Sequence, residues 1–322
     1  MTFPTALCFA LLLDVLLGDP HALPHPVVGV GRLIRFWEGR LYPEAGAPHA
    51  VVRGAGLCVL VLLSTLAAVA GLLWAAGWDG GLAAAIEVYL LYAALAWRSL
   101  KDETMPVALA LFRRNLPGAR AALSRVVGRD TENLDEPAIV RGAVETVAEN
   151  SVDGVMSVLF FAALGWAVGE GVGMVLAVWG FKAVSTMDSM VGYENARYRE
   201  FGRSAARLDD ALNFLPARLG GLVILAAGAC LGMDAGEGMR VFLRDRRKHK
   251  SPNSAHGESA FAGLLGLRLG GGALYGGVAQ SRPCLGDGVR TPEAADVLQA
   301  HRLLDAASAL FALLCALPFR LA

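Results

Sequence analysis

Residues 57–76 read LCVLVLLSTLAAVAGLLWAA, and no charged residue occurs between Arg53 and Asp79. Lipid offers backbone N–H and C=O groups no outside partner. A run of about 20 such residues therefore crosses the ~30 Å hydrocarbon layer as a helix. This stretch decides the fold class, an all-α polytopic integral membrane protein with helical polar loops. Beyond it, Gly77-Trp78-Asp79-Gly80-Gly81 is a tight turn, and residues 80–97 (GGLAAAIEVYLLYAALAW) carry a single charge, Glu87. The pair predicts an antiparallel helical hairpin. Composition agrees, with 55% of the 322 residues hydrophobic and 18% charged, which excludes a disordered chain. Lys+Arg and Asp+Glu number 29 each, so no net field draws nucleic acid. Cys8, Cys58, Cys230 and Cys315 lie in apolar runs and Cys284 in a loop, which excludes a disulfide-stapled secreted domain.

Working outward, the candidate spans are 54–77, 80–97, 154–181, 219–233 and 303–319, with polar stretches at 18–53, 98–153, 182–218 and 234–302. Residues 154–181 hold one charge, Glu170, inside the Gly-rich GWAVGEGVGM. They read as one long span or as two half-helices folded back in a re-entrant hairpin. All Lys and Arg except Arg320 fall in the four polar stretches. The positive-inside rule puts those stretches on the cytoplasmic face. That requires apolar segments to come in hairpins, which favours the folded-back reading; the topology between 219 and 302 stays open. The N-terminal MTFPTALCFALLLDVLLGDP lacks a basic n-region and a small-residue cleavage site, and Asp14 interrupts it. It is read as retained.

The polar stretches carry motifs. Residues 14–26, DVLLGDPHALPHP, mix Asp14, Asp19, His21 and His25 with three prolines, a rigid membrane-proximal turn in which Asp19 has a role. In RGAVETVAENSVDG (141–154) a helix puts Arg141, Glu145 and Glu149 on one face, and Asn150, Ser151, Asp153 and Gly154 follow as a polar turn. This is either a solvated ladder or a set of carboxylates that suits Mg²⁺ at a membrane boundary. In 182–218, Lys182, Ser185, Thr186 and Ser189 share a helical face with Asp188 displaced from it, and Tyr193 and Arg197 stand at i and i+4. Arg207, Asp210 and Asn213 share another face, Asp209 points elsewhere, and Pro216 should end that helix. Charges mixed with Met, Tyr and Phe read as a pocket wall rather than an interfacial amphipathic pair.

Farther on, Arg246, Arg247, Lys248 and Lys250 precede the turn Ser251-Pro252-Asn253, a cluster that holds an anion or binds acidic headgroups. Gly270–Gly272 and Gly276–Gly277 surround Tyr275 and allow close backbone approach to a ligand. There is no GxxxxGK[ST] loop, GxGxxG, HExxH, Cys/His zinc spacing or Gly-x-Ser-x-Gly elbow.

Taken in order, these blocks resemble the adenosylcobinamide-phosphate synthase family of cobalamin biosynthesis, the CobD/CbiB membrane proteins. The resemblance runs through nearly the whole chain. It is carried by LLLDVLLGDP…PHPV (11–28), ETVAENSVDG (145–154), KAVSTMDSMVGYENARYREFG (182–202), SAARLDD (204–210) and NFLPARL (213–219). SPN…E, GxxxxYGG and LGDG follow between 251 and 288. One block departs: where family members read SPNAGWPEAA, this chain reads SPNSAHGESA, with His256 in place of Trp and Gly257 in place of Pro.

The resemblance implies amide ligation. The propionate carboxylate of adenosylcobyric acid would be joined to aminopropanol or its O-phosphate, with ATP and Mg²⁺ as cofactors. The setting would be the bacterial inner membrane, with functional loops facing the cytoplasm and other late corrinoid-pathway enzymes as possible neighbours. A carboxylate is a poor acyl donor until its oxygen becomes a leaving group, so acids for Mg²⁺ and cations for phosphate are required. On that implication Glu145, Glu149, Asp153, Asp209 and Asp210 serve metal binding or amine deprotonation, with Glu149, Asp153 and Asp210 as the Mg²⁺ ligands. Lys182, Arg197, Arg207 and Arg218 hold phosphates and the carboxylate; Asn150, Asn213, Ser251 and Asn253 orient groups by hydrogen bonds. Asp188 joins the catalytic set, and Asp19, His25, Tyr193, Glu258 and Tyr275 the substrate-binding set. Two other classes compete. A secondary transporter would use Asp14, Glu87 and Glu170 as coupling sites, but the informative residues crowd 98–153 and 182–302 instead. A non-catalytic membrane sensor similar to AmpE is opposed by the corrinoid-type blocks.

Overall fold

A computed structural model describes residues 1–20, 25–42, 49–288 and 290–320; His21 lies outside them. In chain order the helices are α1 (Phe3–Leu17), α2 (Pro26–Leu41), α3 (Ala50–Ala76), α4 (Gly80–Tyr92), α5 (Trp97–Phe112), α6 (Leu116–Leu123), α7 (Glu136–Asn150), α8 (Ser157–Val191), α9 (Arg203–Leu212), α10 (Phe214–Cys230), α11 (Ala235–Asp245), α12 (Ser254–Leu265) and α13 (Ala294–Ala316). A π-helical segment, Ser151–Met156, joins α7 to α8. Strands β1 (Leu269–Tyr275) and β2 (Val278–Leu285) form an antiparallel hairpin. Among the described residues four helical runs are long and apolar enough to cross a membrane: Ala50–Ala76, Gly80–Phe112, Glu136–Val191 and Ala294–Phe319. A fifth results if α9 and α10, bent by 48°, count as one. The fold is thus a helical, polytopic membrane architecture. The polar stretches are themselves helical, and the one β-hairpin is the departure from all-α.

The chain divides into two compact units. The first comprises Met1–Leu95, Val158–Asn213 and Cys315–Ala322. Its α3 is crossed closely: a Cβ on Gly54 would lie 1.8 Å from the Phe201 carbonyl oxygen, so only glycine fits. Trp37 Nε1 donates to Ser64 Oγ (3.1 Å) and Trp179 Nε1 to the Leu90 carbonyl (3.1 Å), satisfying the indoles inside apolar surroundings. Within α8, Gly169 (φ −155°) and Glu170 (φ +51°) leave helical geometry. A Cβ on Gly165 would meet Gly173 O at 2.3 Å and Ala177 Cβ at 2.6 Å. A straight helix would separate residues 165 and 177 by about 18 Å, so the two halves of α8 fold back on each other at Gly169–Glu170.

Two local expectations along this part of the chain need correction. Tyr193 and Arg197 do not share a helix, because α8 stops at Val191 and the Gly192 N–H closes onto the Asp188 carbonyl (2.7 Å). Pro216 does not end a helix. It sits in the first turn of α10, where proline's missing N–H costs nothing, and the break falls at Asn213. On the Lys182 face, the Thr186 and Ser189 hydroxyls donate to carbonyls four residues back, at Lys182 (2.6 Å) and Ser185 (2.9 Å).

The second unit comprises Ala96–Ser157 and Phe214–Leu314. Its α7 starts cleanly, with the Asp135 carboxylate accepting from the Ala138 N–H (2.9 Å), a proline in the first turn, and Glu136 beside the positive helix end. The expected polar turn at 150–154 is absent; the chain stays helical through the π segment, and the Gly154 carbonyl accepts from Ala96 N–H (3.2 Å). A π turn inserts one extra residue and re-aims the side chains that follow, including Asp153. The glycines around Tyr275 are explained by the hairpin. Gly276 (φ +56°) and Gly277 (φ +77°) make its turn, and their N–H groups donate to the two Asp130 carboxylate oxygens at 3.0 and 2.7 Å.

Candidate functional site

The site lies in the second unit and is built from α7 outward. Glu145 and Glu149 stand one turn apart on α7, so their side chains share a face. Glu145 is buried, paired with the nearly buried Arg129, and accepts the Gly270 N–H on its other oxygen (2.6 Å). Among the described residues Arg141, expected as its ladder partner, takes no ion pair; Arg129 reaches in from the loop before α7 instead. Burial pulls the Arg129 pKa down, but the adjoining Glu145 carboxylate outweighs it and holds the pKa above the usual value.

Glu258 comes to the same place from α12. Gly257 makes the approach possible, since a Cβ there would lie 2.7 Å from the Ala148 carbonyl oxygen. Residues 254–260 are thus the start of a helix packed on α7, not a loop, and the glycine that departs from the family block is required by this contact. Glu258 is buried. Its pKa is raised well above the usual carboxylate range, first by burial and then by the negative charges of Glu149 and Glu145, with Arg282 and Arg129 opposing. His249 Nδ1 stands 3.6 Å from Glu258 Oε1 and 3.0 Å from Ser254 Oγ. Burial and then the Arg282 charge push its pKa down, so it is neutral at pH 7. Arg282 comes from β2, with its guanidinium carbon 5.7 Å from the Tyr275 ring centroid. Three carboxyls, two guanidiniums and one neutral imidazole therefore converge, a set able to hold a cation or amine beside an anionic substrate.

Of the residues singled out in the sequence, Glu145, Glu149, Asn150, Asp153, Arg218, Ser251, Asn253, Glu258 and Tyr275 fall in this unit. Asp19, His25, Lys182, Asp188, Tyr193, Arg197, Arg207, Asp209, Asp210 and Asn213 fall in the first. There Arg197 is committed to Glu38 (2.9 Å), which also accepts the Tyr198 hydroxyl (2.8 Å), and Asn213 donates to Asp209 (3.0 Å). Asp19 lies 3.5 Å from His25, whose Nδ1 caps α2. In the second unit, Asn150 donates to the Thr146 carbonyl (2.9 Å), and Ser251 Oγ accepts from the Asn253 N–H (3.3 Å). The expected Mg²⁺ trio is split, with Asp210 in the first unit and Glu149 and Asp153 in the second. Among the described residues no group of three or more His, Cys, Asp or Glu is placed to hold a metal ion. Arg129, Arg282 and His249 escaped the sequence reading. Arg129 and Arg282 lie in no motif, and His249 is hidden in a run of Lys and Arg.

A second cleft, of about 420 Å³, lies between α5 and α13 and is lined by Arg98, Lys101, Asp102, His301, Arg302 and Asp305 among others. Its charges are largely answered internally: Arg98 pairs with Asp102 and Lys101 with Asp305 (both 2.8 Å), and Trp97 Nε1 also donates to Asp305 (2.7 Å). It braces the two helices.

The family model described as CobD/Cbib protein matches residues 7–304. The chain belongs to the CobD/CbiB family. It is 45% identical over 293 residues to the cobalamin biosynthesis protein CobD of Pelobacter propionicus, covering 89% of this chain and 86% of that protein. To the Klebsiella pneumoniae CobD it is 41% identical over 315 residues (95% and 94%). To the cobalamin biosynthesis protein CbiB of Salmonella typhimurium it is 40% identical over 316 residues (95% and 94%). No solved structure matches. A role in cobalamin biosynthesis follows for this CobD/CbiB chain.

The LGDG block of this CobD/CbiB chain is structural. Fully buried Asp245 accepts from Arg244 (2.7 Å), Lys248 (2.6 Å) and the Gly286 N–H (2.8 Å), while Asp287 takes Arg240 and Arg244. Burial alone would raise the Asp245 pKa, but these hydrogen bonds outweigh it and hold the carboxyl well below the usual carboxylate range. A depressed acid contributes stability above its unfolded pKa, and that stability is lost as pH falls toward the folded value. D245N should therefore cost about 2–3 kcal/mol at pH 7. The gap in melting temperature between wild type and D245N should shrink once pH drops below about 4; a pH-independent gap would refute this account.

Proposed function

We propose that the glutamate and arginine cluster of the second unit carries ATP-dependent amide ligation, joining the propionate carboxylate of adenosylcobyric acid to aminopropanol or its O-phosphate. Membership in a cobalamin-biosynthesis family supports the corrinoid, and the convergence of Glu149 and Glu258 with Arg129 and Arg282 carries the chemistry. Attack of a carboxylate oxygen on the γ-phosphorus of ATP makes an acyl phosphate, and ADP leaves with the electron pair of the broken P–O bond. Amine nitrogen then attacks the carbonyl carbon, the C–N bond forms, phosphate leaves with the C–O bonding pair, and nitrogen gives up a proton. Arg282 and the Arg129 edge of the cluster would orient the anionic partners. Glu258, a buried acid whose proton affinity is raised by burial and by the neighbouring carboxylates, suits taking the amine proton, with His249 beside it as the next acceptor.

Glu149, in the last turn of α7, and Asp153, inside the π segment, fit Mg²⁺ as hard oxygen donors, since Mg²⁺ needs only one or two carboxylates when substrate phosphates supply the rest. When bound it supplies neutralisation of phosphate charge. Glu145 does not fit, because both its oxygens are taken. ATP use places this cluster on the cytoplasmic side of the bacterial inner membrane, where neighbouring late-pathway enzymes could pass on the corrinoid. Purified protein in lipid, given adenosylcobyric acid, ATP, Mg²⁺ and either amine, should yield the amide by mass spectrometry. No product with any metal or either amine would sink the reading and favour a non-catalytic role.

A further inference from the structure

Three guanidiniums, those of Arg218, Arg246 and Arg247, gather near the start of α12. Arg218, on α10, stacks on Phe214 with its guanidinium carbon 3.3 Å from the ring centroid and donates to Asn253 Oδ1 (3.3 Å). Arg246 and Arg247 follow α11, Arg246 lying over the Phe242 ring at 5.4 Å. His256 is fully buried, edge-on to the same ring at 5.8 Å, and the charges of Arg218, Arg246 and Arg247 all bear on it. Nearby Arg240, Arg244 and Lys248 each have carboxylate partners. Among the described residues Arg218, Arg246 and Arg247 have none within 4.0 Å.

Two further observations point to a missing anion. Buried Nε of Arg246 and both ring nitrogens of His256 lack a hydrogen-bond partner. Buried polar groups are rarely left so, and each unmade bond costs free energy. The first turn of α12 also has no side-chain cap, since Asn253 accepts from Arg218 instead. The helix dipole adds to the positive potential there. Asp245, the neighbouring carboxylate, is already committed to Arg244, Lys248 and Gly286. Burial, with the three guanidinium charges behind it, pushes the His256 pKa down to about 4 against a weaker pull from the Asn253 backbone. The ring therefore stays neutral and offers one N–H donor.

We propose that Arg218, Arg246, Arg247 and His256 form a binding site for a phosphate monoester group. Three guanidinium forks match the charge and the tetrahedral oxygens of a phosphate dianion, each oxygen able to accept more than one N–H. The same group is present on a soluble phosphate ester and on the headgroup of phosphatidic acid. The site stands on this cluster alone and not on the ligase reading, so the two can fail separately.

Full-length protein in phosphatidylcholine nanodiscs should bind inorganic phosphate saturably by calorimetry at constant ionic strength. R246Q and R247Q should each weaken that binding about tenfold or more, as expected for loss of a charge-assisted contact. Arg247 is exposed on a turn, so R247Q should melt like wild type and isolates binding from folding. H256F tests whether the imidazole contributes. If the source is lipid, nanodiscs doped with phosphatidic acid should retain it on wild type, by native mass spectrometry, and lose it on R246Q/R247Q. Absence of both phosphate and phosphatidic acid binding, or binding unchanged in these variants, would overturn the proposal.

Discussion

Alanine at Glu145 should cost the second unit about 3–5 kcal/mol, the range seen when one partner of a buried ion pair is removed. Arg129, its partner, is 11% exposed and cannot turn to water for compensation. The Gly270 N–H at the base of the hairpin would lose its acceptor as well. At roughly 2–4 °C per kcal/mol for a domain of this size, the melting temperature in detergent should fall by about 6 °C or more. R129M/E145L removes both charges and should recover most of the loss, because the penalty comes from an orphaned charge rather than a missing attraction. A double variant no more stable than E145A would mean that the pair does more than brace.

Glutamine at Glu258 should separate chemistry from folding. It keeps the shape of the side chain but cannot accept a proton, so kcat for amide formation should fall by about 10²–10⁴ while KM for the amine changes little. The pH profile gives the sharper test. Glu258 has its pKa raised by burial and by Glu149 and Glu145, so wild-type activity should drop as pH falls through that raised value. The residual activity of E258Q should lack this acid limb. Stability should move the other way. An acid whose pKa is raised on folding loses stability as pH climbs from its unfolded to its folded pKa, so E258Q should gain on wild type in stability as pH rises through that raised value. A variant with normal kcat, or one that is merely unstable, would remove Glu258 from the mechanism.

Much of the membrane architecture is legible in the sequence because lipid imposes a simple rule, an uncharged run long enough to span. Residues 57–76 and the break at Glu170 both stand out this way. Helix continuity is harder to read. Gly192 and Asn195 end the helix before Arg197, while Ser151–Met156 stay helical despite looking like a turn, because a π segment has no composition of its own. Motif spacing identified Glu145 and Glu149 as chemically interesting but paired Glu145 with the wrong arginine, and Glu258 came from the family resemblance. An i, i+4 neighbour is visible along the chain, whereas Arg129 arrives through a loop.

The sequence by itself determined that this chain is a helical membrane protein and, through ordered blocks, its family resemblance. Tertiary structure alone decided which of the charged residues share a site. That choice depends on packing: Gly257 lets α12 reach α7, and the hairpin of β1 and β2 carries Arg282 to the glutamates. Such contacts join residues more than a hundred positions apart, as Gly270 to Glu145 does, and no local periodicity encodes them.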